Sequence, residues 1–117
     1  MKLEMKSIKY SAFASHETYC YEGYVYIDGK KSIYVSNDGH GGSDRQHTNG
    51  KIPHTIIREV DEWCKENLPK WKMSSDYNDA EEYDTDFEMW CHNQVHLWLR
   101  AKELKRLLNK DKIVYVK

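Results

Sequence analysis

A run of glycines and polar residues is the first place in the sequence where chemistry could occur. It spans residues 37–51, contains no apolar side chain and has three glycines within four positions. Glycines let consecutive backbone N–H groups converge, and a concave row of N–H groups binds anions. The residues predicted to bind such a ligand are Asn37, Asp38, Gly39, His40, Gly41 and Gly42, with Arg45 and His47 behind them. The alternative is a plain turn between a strand and a helix.

Tyrosines crowd the segment that precedes this loop. The set comprises Tyr19, Tyr21, Tyr24, Tyr26 and Tyr34. Aromatic rings on a sheet can stack on nucleic-acid bases. We therefore predict that Tyr24 or Tyr26 stacks on the base of a nucleotide whose charge pairs with Arg45. The competing interpretation is that these rings reflect the strand propensity of tyrosine and pack in a core or a dimer.

Three residues at helical spacing form a candidate metal site. Glu88, His92 and His96 stand at i, i+4 and i+8, which places them on one face of a helix. Two histidines at i and i+4 can form a helical zinc pair, and His40 or His47 would have to supply a further ligand. A zinc-bound water would then make the chain a hydrolase. The alternative is that this helix face is polar and that its histidines are solvated. Our leading prediction follows this alternative and includes no cofactor.

The cysteines and the apolar pattern indicate a cytoplasmic protein. Cys20, Cys64 and Cys91 are odd in number, lie far apart and form no C-x-x-C motif. This favours reduced thiols and a buried structural role over nucleophilic catalysis. No apolar run approaches the roughly 20 residues that cross a bilayer, and the first residues lack the apolar stretch of a signal peptide. We expect no membrane association.

Length and charge restrict the function classes. The 117 residues suit a single domain, residues 1–117. A net charge of −1 argues against a protein that coats nucleic acid through bulk positive charge. Residues 76–88 carry seven carboxylates and no basic side chain, whereas residues 100–117 are mostly basic. The helix dipole accounts for this segregation. The alternative is an acidic surface that mimics nucleic acid and inhibits a host protein.

The elements that must position these residues follow from periodicity and turn signals. Strands are predicted at residues 7–14, 19–27 and 31–36, with a tight turn at Asp28-Gly29. One helix is predicted from Pro53 to Pro69, and a second from residue 84 or 85 to about 109, with a break near Arg100. Residues 71–83 form a connector, and residues 113–116 form a closing strand. The chain is therefore expected to be α+β, with three N-terminal strands and a short C-terminal strand in an antiparallel sheet and two to three helices on one face.

Two motifs resemble those of a protein family. The stretches FAS-x-ET-x-C at residues 13–20 and SNDG-x-GG at residues 36–42, joined by the hairpin, resemble small uncharacterised proteins of tailed bacteriophages. The resemblance covers about the first forty residues, and it brings no catalytic residue with it. It implies a phage product that acts in the bacterial cytoplasm, where such small proteins often bind host factors or the nucleotides of defence signalling.

These observations lead to one principal expectation of function. We expect a phage-type, non-enzymatic binding protein that sequesters or blocks a host molecule, with an anionic nucleotide-like ligand as its concrete form. The two alternatives are inhibition of a host protein through residues 76–88 and zinc-dependent hydrolysis through Glu88, His92 and His96. The sequence is compatible with a homodimer.

Overall fold

The computed structural model describes residues 1–15, 17–72 and 82–115, and it leaves out the side chains of Lys72 and of residues 109–115. The strands are β1 (Leu3–Ser11), β2 (Cys20–Ile27), β3 (Lys30–Asp38), β4 (Arg45–Thr48), β5 (Trp71–Lys72) and β6 (Glu82–Tyr83). The helices are α1 (Ile56–Asn67) and α2 (Phe87–Tyr115).

The main sheet is an antiparallel meander. Its strand order is β1-β2-β3-β4, so each strand pairs with its neighbour in sequence. Strands β5 and β6 form a separate two-stranded ladder, in which Trp71 opposes Tyr83 with stacked rings 4.9 Å apart. The predicted α+β class, with an antiparallel sheet and helices, is confirmed.

The hairpin between β2 and β3 turns at the predicted dipeptide. Asp28 and Gly29 have φ values of 51° and 82°. Two positive φ values in succession give a turn whose twist matches that of the flanking strands. The Asp28 carboxylate also accepts a hydrogen bond from the Lys2 N–H at 2.7 Å, and the Asp28 N–H donates to the Lys2 carbonyl at 2.8 Å. The turn therefore anchors the start of β1 as well.

The hydrophobic core lies between one face of the main sheet and both helices. Tyr21 and Val25 on β2 are buried on the same face as Ile33 and Val35 on β3. The helices contribute Val60, Cys64, Phe87, Trp90, Cys91 and Val95 to this core. Because side chains alternate along a strand, the residues between these positions project from the opposite face. The helices cover only the first face.

Two aspartates accept hydrogen bonds from the first turn of α2, one at its N-cap and one from α1. Asp86 precedes α2 and accepts a hydrogen bond from the Met89 N–H at 2.8 Å, which is the usual N-cap contact. Asp61 on α1 accepts a hydrogen bond from the Phe87 N–H at 3.0 Å. Two backbone donors that the helix itself leaves unpaired are thereby satisfied.

The fourth strand of the sheet lies inside the segment that was predicted to be a loop. Strand β3 continues to Asp38, and β4 covers Arg45–Thr48. The four residues of β4 include no apolar side chain, so no hydrophobic alternation marks the strand. Its pairing with β3, with Val35 opposite Gln46, creates it.

The C-terminal region differs from the prediction in two respects. Residues 113–115 continue α2, so the expected closing strand is wrong for these residues, and Val116 lies outside the described part. The helix does not break near Arg100. Residues 100–108 are rich in strong helix formers, and a helix that is already formed gains one hydrogen bond for each added residue. Among the described residues, no helix combines the length and apolar character needed to cross a bilayer.

The packing of α2 on the sheet makes a stability prediction. Val95 is fully buried in the core. We expect Val95→Ala to lower the free energy of unfolding by about 2 kcal/mol, because it removes buried apolar volume. Asn93→Ala, at an exposed position on the same helix, should change it by less than about 0.5 kcal/mol. Urea unfolding followed by circular dichroism measures both, and equal effects would contradict the described orientation of α2.

Candidate functional site

Asn37 holds the glycine-rich loop from the end of β3. Its side chain is buried, and its Oδ1 accepts hydrogen bonds from the Gly39 N–H at 2.8 Å and the Thr18 hydroxyl at 2.7 Å. Its Nδ2 donates to the Gly42 carbonyl and to the Asp44 carboxylate, both at 2.9 Å. The amide thus uses its full hydrogen-bonding capacity to fix the shape of the loop.

Two loop glycines are required by the backbone and by close neighbours. Gly39 and Gly41 have φ values of 85° and 89°, in the left-handed region that favours glycine. A Cβ atom on Gly39 would overlap the Ala14 carbonyl, and one on Gly41 would overlap the Glu17 carboxylate. The glycine spacing therefore reflects tight packing of the loop against residues 14–17.

Three backbone N–H groups of the loop have acceptors within the protein. The N–H groups of Gly39, His40 and Gly41 donate to side-chain oxygens, at 2.8, 3.2 and 3.4 Å respectively. The acceptors are Asn37, Asp38 and Thr18, in that order. An external anion at the predicted site would have to compete with these side-chain oxygens for the three N–H groups. Short polar side chains next to the loop compete for its N–H groups.

The buried Asp44 carboxylate joins the loop, the sheet and α2. Its side chain is 0% exposed. Oδ2 accepts a hydrogen bond from the Tyr21 hydroxyl at 2.5 Å, and Oδ1 accepts one from His92 Nε2 at 2.8 Å in addition to the one from Asn37. The Asp44 N–H donates to Glu88 Oε1 at 3.0 Å. A buried charge is tolerated only when it is paired and hydrogen-bonded, and this one has donors from three elements.

The environment fixes the protonation of the groups around Asp44. The hydrogen bond to Asp44 raises the pKa of His92, which favours the imidazolium. Burial, reinforced by nearby acidic groups, raises the pKa of Tyr21 well above its usual range. Burial likewise raises the pKa of the Cys91 thiol. Tyr21 and Cys91 therefore stay neutral and are poor nucleophiles.

Asp44, Glu88 and His92 could supply three metal ligands. One atom from each lies within 4.8 Å of the other two, and a nitrogen with two carboxylate oxygens is a donor set that zinc accepts. However, the Asp44 carboxylate already accepts three hydrogen bonds, so a cation would have to displace the proton that His92 donates. His96 lies elsewhere, with Nδ1 3.1 Å from the Tyr19 hydroxyl. The arrangement therefore favours a structural ion pair.

The loop histidines do not complete the predicted metal site. Neither His40 nor His47 belongs to the group formed by Asp44, Glu88 and His92. Asp44 was not among the predicted ligands, because it has no regular spacing to α2 in the sequence. Its proximity to His92 arises only when β3 and the loop pack on the helix.

The uncovered face of the main sheet carries tyrosines and basic side chains in adjacent rows. Residues directly opposite each other on paired strands share a face. One row runs across the four strands as Lys6, Tyr24, Tyr34 and His47, and the next row runs as Lys9, Glu22, Ser36 and Arg45. Tyr26 lies on the same face, two positions beyond Tyr24 on β2. We call these residues the open face.

Ring and ammonium groups meet on the open face. The Tyr24 and Tyr34 ring centroids are 5.3 Å apart. The Lys31 Nζ atom lies 3.8 Å from the centre of the Tyr24 ring, and the Lys6 Nζ atom lies 4.6 Å from that of Tyr26. These are cation–π distances. The aromatic rings therefore lie within a region of positive charge.

Two adjoining cavities follow the rows of the open face. A cavity of about 370 Å³ includes Arg45 in its lining, and one of about 550 Å³ includes Tyr24 and Tyr34. Lys9 and Glu22 line both. Within the part of the chain that the structure describes, Arg45 forms no ion pair. Its guanidinium is available for a ligand.

No family model, curated protein or solved structure matches this chain. The interpretation of the site therefore depends on its geometry. The structure brings four predicted ligand residues onto the open face, namely Tyr24, Tyr26, Arg45 and His47. It also places basic residues there that sequence reasoning missed, Lys6, Lys9 and Lys31. They belong to different strands, so only the pairing register shows that they surround the tyrosines.

Part of the predicted acidic surface makes contacts within the fold. Residues 76–81 lie outside the described residues. Asp84 forms an ion pair with Lys70 at 3.6 Å, Asp86 caps α2, and Glu88 accepts the Asp44 N–H. These three carboxylates therefore have structural partners, which weakens the case for a surface that mimics nucleic acid.

The His92–Asp44 pair predicts a pH dependence of stability. The pKa of His92 is raised in the folded state, so its contribution to stability is fully present below the unfolded pKa of about 6.5. That contribution is lost as the pH rises through the folded value. We expect the difference in unfolding free energy between wild type and His92→Gln to be largest below about pH 6.5 and to shrink at higher pH.

Urea unfolding at a series of pH values measures this difference. The matched control is Asn93→Gln at an exposed position on the same helix, which removes no titratable group and should show no such trend. A wild-type advantage over His92→Gln that stays constant from acid to alkaline pH would contradict a charged pair.

Proposed function

We propose that this chain is a non-enzymatic binding protein whose open face takes an anionic, ring-bearing ligand of the nucleotide class. One observation carries the proposal: three tyrosines and a cluster of basic side chains occupy the same uncovered face of the sheet. A nucleotide needs both a flat apolar surface for its base and positive charge for its phosphates.

Charge distribution favours the phosphates at one end of the open face and the base at the other. Arg45 forms no ion pair among the described residues, and a guanidinium can bind a phosphate through two parallel hydrogen bonds. Glu22 is the acidic side chain between Arg45 and the tyrosine rings. Its carboxylate forms an ion pair with Lys9 at 3.5 Å and accepts a hydrogen bond from the Tyr34 hydroxyl at 2.7 Å. The hydrogen bond from Tyr34 lowers the pKa of Glu22.

The size of the open face suits a small ligand. The two adjoining cavities, of about 370 and 550 Å³, fall in the range that small molecules occupy in proteins. The net charge of −1 opposes the approach of a long polyanion. A mononucleotide or dinucleotide therefore fits the open face better than a nucleic-acid chain.

The geometry on the helix side supports binding without catalysis. Tyr21 and Cys91 have raised pKa values that keep them neutral, and the Asp44 carboxylate is saturated with donors. The resemblance of residues 13–42 to small phage proteins supports a wider role, in which the chain sequesters a host nucleotide and blocks defence signalling.

Affinity measurements on open-face variants test the proposal. Isothermal titration calorimetry with a panel of purine and pyrimidine mono-, di- and triphosphates and cyclic dinucleotides identifies the best ligand. For that ligand we expect Arg45→Ala and Tyr24→Leu each to weaken binding by about ten- to a hundredfold, because each removes one recognition element. Both residues are at least partly exposed, so the melting temperature should change little.

The matched control is Arg58→Ala, which removes an exposed arginine from α1 on the other side of the domain. It should leave the affinity unchanged. If no nucleotide of the panel binds at millimolar concentration, or if Arg45→Ala and Tyr24→Leu bind as tightly as wild type, the open face is not the nucleotide site.

A further inference from the structure

The C-terminal half of α2 exposes leucines that the core does not use. The last α2 residue that packs against the core is Leu99. Leu97, Leu104, Leu107 and Leu108 are between 47% and 58% exposed. Isolated exposed leucines are ordinary, but three of these four, Leu97, Leu104 and Leu108, lie on one face of the helix and form an apolar stripe that needs a partner.

The stripe has the spacing of a helix-pairing seam. Leu97, Ala101, Leu104 and Leu108 are separated by four, three and four residues. This is the alternation of the two seam positions in a heptad repeat. Leu99, the last residue of α2 that packs on the core, lies on the opposite side of the helix, and the four seam residues are exposed.

We propose that this seam binds a second copy of the chain, with the two α2 helices antiparallel about a two-fold axis between residues 102 and 103. The proposal concerns α2 alone and does not depend on the nucleotide site. A two-fold interface uses the same surface patch on both copies, so the seam must be complementary to itself.

The antiparallel register pairs two leucines in each outer layer and an alanine with a leucine in each inner layer. Leu97 meets Leu108 of the partner subunit, and Ala101 meets Leu104 of the partner subunit. Antiparallel helix pairs mix the two seam positions in each layer, as this register does. A parallel pair would instead place Ala101 against its own copy and leave a gap that packed interfaces avoid.

The residues beside the seam also select the antiparallel pair. In this register Trp98 lies near Lys105 of the partner subunit, a cation–π arrangement, and Arg100 lies along Leu107 of the partner subunit. In a parallel pair Arg100 would face Lys105 of the partner subunit, which places two positive charges together. Within its own chain, Trp98 already has Lys102 Nζ at 4.2 Å from its ring.

The area involved sets the expected strength. A stable interface buries about 1,000 Å² or more in total. Two paired seams form four layers of side chains, flanked by the apolar stems of the residues beside them. We expect the buried area to be near this lower limit, and we therefore expect the dimer to dissociate in the micromolar range.

Sedimentation equilibrium of the full chain across the micromolar range tests the proposal. We expect wild type to pass from monomer to dimer, and Leu104→Glu to stay monomeric with an unchanged circular dichroism spectrum. The matched control is Arg106→Glu, on the same helix but opposite the seam, which should dimerise like wild type. A wild type that is monomeric throughout, or a dimer that survives Leu104→Glu, overturns the proposal.

Cysteine cross-linking tests the orientation. In a Cys20→Ser background, mixed chains carrying Leu97→Cys and Leu108→Cys should form a disulfide between the two variants, because these positions meet in the antiparallel pair. Disulfides within the Leu97→Cys chains alone would show a parallel pair and overturn the antiparallel model. Binding of monomeric wild type to vesicles of anionic phosphatidylglycerol would assign the stripe to a lipid surface and equally overturn the dimer.

Discussion

The buried Asp44 carboxylate is the constraint on which the helix side of this domain depends. A fully buried charge is costly unless donors surround it, and here the donors come from Tyr21 on β2, Asn37 on β3 and His92 on α2. The same requirement fixes the glycine-rich loop, because Asn37 also binds the Gly39 N–H and the Gly42 carbonyl. Groups that could have bound a ligand or a metal are thereby used to hold the fold. On the side of the sheet that faces away from the helices, Arg45 forms no ion pair among the described residues.

Features that depend on neighbours in sequence could be predicted from the sequence. The Asp28-Gly29 turn needs only two residues that tolerate positive φ, and its position fixed the β2–β3 hairpin. The alternation of side chains along a strand puts Tyr21 and Val25 on one face of β2 and Tyr24 on the other, and the first two are buried. The spacing of Glu88 and His92 correctly placed their side chains near each other, since one helical turn separates them.

Features that depend on pairing between distant segments could not be predicted in this way. Strand β4 contains no apolar residue, so only its ladder with β3 reveals it. The lysines around the tyrosines come from β1 and β3, and β2 alone gives no sign of them. The glycines of the loop stand out in the sequence, but their close approach to residues 14–17 and the side-chain acceptors of their N–H groups, Asn37 for Gly39 and Thr18 for Gly41, are set by the packing of distant segments. Residues 113–115, two β-branched residues and a tyrosine, resemble a strand locally, yet the helix before them continues.

The central claim is that ligand recognition belongs to the open face, while the glycine-rich loop is a structural element. Two-dimensional ¹H–¹⁵N NMR of the wild-type chain, titrated with the nucleotide that binds best, compares the two regions in one experiment. The account predicts that the amide signals of Tyr24, Tyr34 and Arg45 shift with the titration while those of Gly39 and Gly41 stay in place. Shifts confined to the two glycines, with the open face unchanged, would contradict it.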